Sequence, residues 1–192
     1  MVTRVTVDTN VLDQNKVARI HKAVEGLEVE LAFTTVTERE RPGSGLEFGV
    51  ANPVPETLVW DESLWDEAVW GNQVYETLTV GESRVGSAAL GGSDSPSRFE
   101  EILAIIADGS FPKRGERGAL TVGERNQLRD AMILEAHARD GRDVLVTDDL
   151  KGFIGPAGQK RQRLEALCST RIMAVDEFCA EIGNIARGTK PG

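Results

Sequence analysis

The feature that most constrains this chain is its opening, Arg4-Val5-Thr6-Val7-Asp8-Thr9-Asn10. A short β-branched run suits a buried strand, and Asp-Thr-Asn cannot continue one. Asp8 is therefore predicted at the carboxyl end of a strand, where the next helix begins. Open α/β sheets place their ligands at that edge. The segment Asp143-Val144-Leu145-Val146-Thr147-Asp148-Asp149 repeats the design, an apolar run ending in carboxylates. Two neighbouring parallel strands with such ends gather several acids in one crevice, which is costly unless a cation sits among them.

Between and beyond these two segments, strands and helices alternate. Val17, Ile20, Val24 and Leu27 predict a helix over about 14–25. A second strand is predicted over 29–35, and Thr37 to Glu40 fit a short helical turn before Pro42-Gly43 breaks it. A helix starts near Ser97, with Asp94 or Ser95 as cap and Phe99, Ile102, Leu103, Ile105 and Ile106 as its apolar stripe. Thr121-Val122-Gly123-Glu124 reads as a capping box opening a long helix to about Arg139, which Gly141 ends. A basic helix is predicted over 159–168, a last strand over 171–175, and a final helix capped by Asp176. The tail 188–192 is expected to be mobile. The pattern is α/β, with a body of residues 1–42 and 97–187.

Residues 43–96 differ in kind. They hold all three tryptophans and the single tyrosine, and they repeat with a 20-residue period. Val54-Pro55-Glu56-Thr57-Leu58 is echoed by Val74-Tyr75-Glu76-Thr77-Leu78, and Glu62-Ser63 by Glu82-Ser83. Each unit reads as a β-hairpin, so a small antiparallel insertion is predicted. Trp60, Trp65, Trp70 and Tyr75 serve either as its core or as a partner-binding face. Of the net charge of −9, residues 43–97 carry −8, from nine acids against Arg84. The acidity thus belongs to the insertion, which is expected to repel a phosphate backbone and to meet a protein, a second copy of this chain included.

The chain shows no apolar run of membrane-spanning length, and no stretch of signal-peptide type at its start, so no membrane partner is expected. Two late cysteines, Cys168 and Cys179, read as reduced thiols, which points to a cytoplasmic setting. No His/Cys cluster offers zinc a site.

Four places together resemble the PIN-domain family, which includes the ribonuclease toxins of bacterial toxin–antitoxin pairs. Asp8-Thr9-Asn10 with Val11-Leu12 is similar to its first motif, an aspartate ending strand one. Thr37-x-x-Glu40 is similar to its second, Asp130-Ala131-Met132-Ile133 to its third, and Thr147-Asp148-Asp149 with Phe153 to its fourth. The resemblance covers roughly residues 1–42 and 97–180. It implies a three-layer sandwich around a central parallel sheet, and a Mg²⁺- or Mn²⁺-dependent endoribonuclease acting on RNA. Asp8 would be the central ligand, with Asp130, Asp149 and Glu40 bound directly or through water. Asn10 and Thr147 would orient carboxylates or water. Glu38 competes with Glu40; Glu40 is preferred because it leaves Thr34 and Thr37 where the family carries small polar residues. Asp148 competes with Asp149; the Thr-x-Asp spacing favours Asp149 and leaves Asp148 as a second ligand or an outward-facing acid.

Elementary chemistry agrees with this. Oxygen-only donors suit a hard cation, which activates water and offsets charge on a phosphodiester. A lone strand-end aspartate is often only a helix cap, and a helical one only solvated, but four acids in this order are harder to explain so. His137 reads as a packed histidine. Basic candidates for holding RNA are Arg39, Arg41, Lys113, Arg114, Arg117, Lys160, Arg161 and Arg163. Two rivals remain: an inactive module binding protein through the insertion, and a phosphotransferase with an aspartate nucleophile. The second wants an acid where Asn10 stands.

Overall fold

The computed structural model describes residues 2–41, 53–56, 79–80, 83–84, 95–113 and 115–188. In chain order, β1 (Thr3–Val7) runs through a 3-10 turn, Thr9–Val11, into α1 (Gln14–Val24), β2 (Val29–Ala32) and α2 (Thr35–Glu40). Two short strands follow, β3 (Thr79–Val80) and β4 (Ser83–Arg84), then α3 (Ser95–Ile106) and α4 (Val122–Arg139). The chain ends with β5 (Val144–Val146), a π-type turn over Leu150–Ile154, a 3-10 turn over Pro156–Gly158, α5 (Gln159–Cys168), β6 (Arg171–Met173) and α6 (Val175–Gly188).

The main sheet has the order β2-β1-β5-β6, and every neighbouring pair in it is parallel. Val5 lies opposite both Leu31 and Val144, and Val146 opposite both Val7 and Met173. Strand side chains alternate between faces, and the apolar residues follow that period. Val5, Val7, Val144, Val146 and Met173 pack with Val17 and Ile20 of α1 and with Phe178 and Ile182 of α6. Leu145 and Ile172 face the other way, onto Ile102, Leu103 and Ile106 of α3, Leu128 and Met132 of α4, and Leu164 of α5. Both faces of the α/β sheet are thus covered, as all-parallel sheets require.

The helix ends follow local chemistry. Thr121 Oγ1 accepts from the Glu124 amide at 3.3 Å, and the Glu124 carboxylate accepts from the Thr121 amide at 2.7 Å, which is the expected capping box. Gly141 takes a left-handed φ of 61° just past α4, where a side chain would be strained. Asp176 does not cap α6; the helix starts at Val175, and Asp176 lies within the first turn.

Thr6 alternates with Val5 and Val7 and is fully buried with His137. His137 Nδ1 pairs with Thr6 Oγ1 at 2.8 Å, and Nε2 with Thr170 Oγ1 at 2.5 Å. Burial first, then the Arg142 and Arg4 charges, push this imidazole down to about 3, so it stays neutral as a core group.

Within the stretch expected to form hairpins, β3 and β4 pair antiparallel, Thr79 opposite Arg84 and Val80 opposite Ser83. Residues 53–56 instead join the body. The Val54 amide donates to the Phe33 carbonyl at 2.7 Å, and the Thr35 amide to the Val54 carbonyl at 2.9 Å, forming an isolated parallel bridge just past the end of β2. Glu56 is buried there against the Thr35 hydroxyl. Trp60, Trp65, Trp70, Tyr75 and the tail 189–192 lie outside the described residues. Among the described residues, no helix is long and apolar enough to cross a membrane.

Candidate metal centre

In the order β2-β1-β5, the connection after β1 leaves toward one side while β5 lies on the other. A crevice opens at the carboxyl ends of β1 and β5, the usual place for a ligand in such a sheet. An open cleft of about 660 Å³ lies here, lined by Asp8, Thr9, Asn10, Glu40, Asn126, Arg129, Asp130, Asp148 and Asp149. Five of those nine are acids. They come from the end of β1, from α2, from α4 and from the end of β5.

Asp8 is 2% exposed. Its Oδ1 accepts from the Thr9 amide, and its Oδ2 from Asn10 Nδ2 and Thr147 Oγ1, each at 2.7 Å. Those three bonds hold the carboxylate in one orientation and favour its charged form. Burial outweighs them, and with the Glu40 and Asp149 charges it pushes Asp8 up to about 6.

The Thr147 hydroxyl is the hub of this arrangement. It accepts from the Asp149 amide at 3.0 Å and from Asn10 Nδ2 at 3.1 Å, so its own proton goes to Asp8. Asn10 completes the latch by accepting from the Asp148 amide through Oδ1 at 2.9 Å. Asn10 and Thr147 thus hold the Asp8 carboxylate and the start of the following turn through side-chain hydrogen bonds.

Asp149 caps the π-type turn, its Oδ1 accepting from the Gly152 amide at 2.8 Å and the Lys151 amide at 2.9 Å. Its Oδ2 stays toward Gly152. A Cβ added at Gly152 would meet that oxygen at 2.5 Å and Asp130 Oδ2 at 3.2 Å. Two carboxylates thus face one another across a backbone that only glycine leaves open.

Asp130 takes no hydrogen bond through its side chain among the described residues. Burial, then the charges of Asp8, Asp149 and Glu40, raise it to about 8. Glu40 reaches in from α2, its Oε2 accepting from Thr9 Oγ1 at 2.6 Å and its Oε1 lying 3.8 Å from Arg129 Nη1.

The structure separates the paired candidates. Glu40 lines the cleft and Glu38 does not. Asp148 borders the cleft, but both its oxygens are engaged elsewhere. Lys16 Nζ lies 2.8 Å from Oδ2, and the Val175 amide donates to Oδ1 at 3.1 Å. Burial alone would raise its pKa; those bonds and charges lower it below the usual carboxylate range. Of its two expected roles, the outward-facing acid fits and the second ligand does not.

Two basic candidates for RNA turn inward. Arg117 is 2% exposed, forked onto Glu100 with bonds of 3.0 and 2.6 Å. Lys160 is buried and donates to the carbonyls of Ile106 at 2.6 Å and Lys151 at 3.2 Å, tying the end of α3 to the turn after Asp149. Long apolar stems bury well, and these heads found internal acceptors that sequence cannot locate. Arg161 pairs with Glu177 and lines a different recess, beside β6. Arg41 lines a neighbouring hollow that shares Thr9 and Asn10 with the cleft. Lys113 and Arg163 are exposed. The Arg39 side chain and Arg114 lie outside the described residues.

Sequence reasoning missed Thr9, Asn126, Arg129 and Gly152. Asn126 was within reach, since it stands four residues before Asp130 on a helix and so shares its face.

Carboxylate oxygens are the right donors for Mg²⁺ or Mn²⁺. The bare Asp130 carboxyl and the open Gly152 backbone suit such an ion in kind. Convergence is incomplete: among the described residues, no group of three His, Cys, Asp or Glu side chains stands ready to hold a metal. Gly152→Ala is expected to displace the Asp149 carboxylate and weaken Mn²⁺ binding at least tenfold, about 1.4 kcal/mol. Electron paramagnetic resonance of free Mn²⁺ in a titration reads this directly. Unchanged affinity would mean that Asp149 is not a ligand.

Searches against protein-family models, curated proteins and solved structures find no match to this chain.

Proposed function

We propose that this chain is a PIN-like, Mg²⁺- or Mn²⁺-dependent ribonuclease that hydrolyses RNA phosphodiesters. One observation carries the reading. Acids distant in sequence meet in one crevice at the carboxyl edge of a parallel sheet, and among the described residues lining it one side chain, Arg129, is basic. Proteins keep such an arrangement where a cation or a reaction uses it.

Asp8, Asp130 and Asp149 would hold the ion, with Glu40 beside them. A bound ion of this kind supplies an activated water and offsets charge on the phosphoryl oxygens. The chain's own residues do the rest. Thr147 and Asn10 keep Asp8 oriented, and the amides of Lys151 and Gly152 keep Asp149 in place. Glu40, held by the Thr9 hydroxyl, would serve as the acid that takes a proton from a water in the cleft.

Calorimetric titration with Mn²⁺ tests the base of this reading. Asp8→Asn is expected to weaken binding at least tenfold, about 1.4 kcal/mol. Equal affinity in the two proteins would remove the metal site.

A further inference from the structure

The cleft poses an electrostatic difficulty for its own substrate. A phosphodiester must approach Asp8, Glu40, Asp130 and Asp149, and among the described residues lining the cleft a single side chain is basic, Arg129. Resting on the ribonuclease reading above, we propose that Arg129, with the Asn126 amide beside it, binds a backbone phosphate of single-stranded RNA next to the bond being cut.

Three observations carry this. Arg129 directly precedes Asp130 on α4, so its guanidinium reaches the same cleft from the wall that holds a candidate ligand. Its contact with Glu40 is loose, at 3.8 Å, beyond hydrogen-bond reach. Glu40 does not depend on that contact, because its other oxygen is held at 2.6 Å by Thr9. Glu40 would therefore keep its place if Arg129 turned to a phosphate.

Asn126 stands three residues earlier, on the same side of α4, exposed and in the cleft lining. Its amide adds donors for a phosphate or ribose oxygen. The planar fork of arginine suits two phosphate oxygens at once, which lysine cannot reproduce. The deep groove of an A-form duplex bars side chains, whereas a single strand exposes its backbone to such a wall.

The test uses the full chain with Mn²⁺ and a short mixed-sequence single-stranded RNA carrying a 5′ fluorescein. Cleavage is followed at rising RNA concentration for wild type, Arg129→Ala and Arg129→Lys, and Mn²⁺ affinity is measured in parallel. Arg129→Ala is expected to raise the half-saturating RNA concentration at least tenfold. It should also reduce the dependence of log affinity on log salt by about 0.7, one phosphate contact on a single strand. Arg129→Lys should recover only part of the loss. Mn²⁺ affinity should stay unchanged or rise, because a positive neighbour has been removed.

Unchanged RNA saturation and salt slope would overturn the assignment while leaving the nuclease reading intact. A parallel loss of Mn²⁺ affinity would also overturn it, showing that Arg129 serves to place Glu40. A wild-type protein that neither binds nor cuts the RNA would end both readings.

Discussion

Asp130→Asn and Asp149→Asn are each expected to lower Mn²⁺-dependent RNA cleavage at least about a hundredfold, because a displaced ion forfeits several kcal/mol of charge stabilisation. Both acids face the gap over Gly152, and among the described residues the Asp130 side chain takes no hydrogen bond that would give it a structural duty there. EDTA should abolish cleavage by the wild type. Glu40→Gln should harm the rate more than Glu38→Gln, since only Glu40 lines the cleft. Rates from a labelled RNA under single-turnover conditions decide this. Full activity in Asp130→Asn would detach the cleft from the chemistry, and a larger loss in Glu38→Gln would relocate the second acid.

The second large effect concerns stability without metal. Asp130 sits at about 8 in the folded chain against an ordinary 3.8, so between those values the native state holds a proton that the unfolded chain has released. Stability then falls as pH rises. Asp8 acts in the same direction up to about 6. His137 acts oppositely: held near 3 against an ordinary 6.5, it makes stability rise with pH up to that point. Above 6.5, Asp130 is left to dominate. From pH 6.5 to 8 the protein in EDTA should lose on the order of 1 kcal/mol, since the full slope of about 1.36 kcal/mol per unit applies only well below the folded value of about 8. Urea unfolding at the two pH values measures it. Asp130→Asn should flatten the dependence and stabilise the protein at pH 8. Saturating Mn²⁺ should restore the wild type and release a proton on binding. A stability that rises over this window would show that the acids are balanced by charge already present.

Much of this protein was legible in the residues themselves because the signals are local. The short β-branched run Val5-Thr6-Val7 and the apolar run Val144-Leu145-Val146 predict buried strands, whose faces the structure then covers on both sides. Thr121 and Glu124 sit within one helical turn of each other, so their reciprocal bonds follow from spacing alone. Asp8 and Asp149 were nameable from their places at strand ends, and Asp130 from the motif resemblance alone.

Tertiary structure decided which charges meet. Glu38 and Glu40 share a turn, and Glu40 reaches the cleft because the Thr9 hydroxyl, on another element, meets its carboxylate. Asp148 and Asp149 are neighbours that part company: Lys16 and the start of α6 draw one outward, while the turn over Gly152 holds the other in. Arg117 and Lys160 were basic residues like any others until Glu100 and the Ile106 carbonyl came within reach. Arg129 came beside Glu40 only because α2 and α4 pack together. Spacing along one chain determines which side of an element a residue occupies. The partner that side meets depends on distances between elements far apart in sequence, and a charge takes its role from that partner.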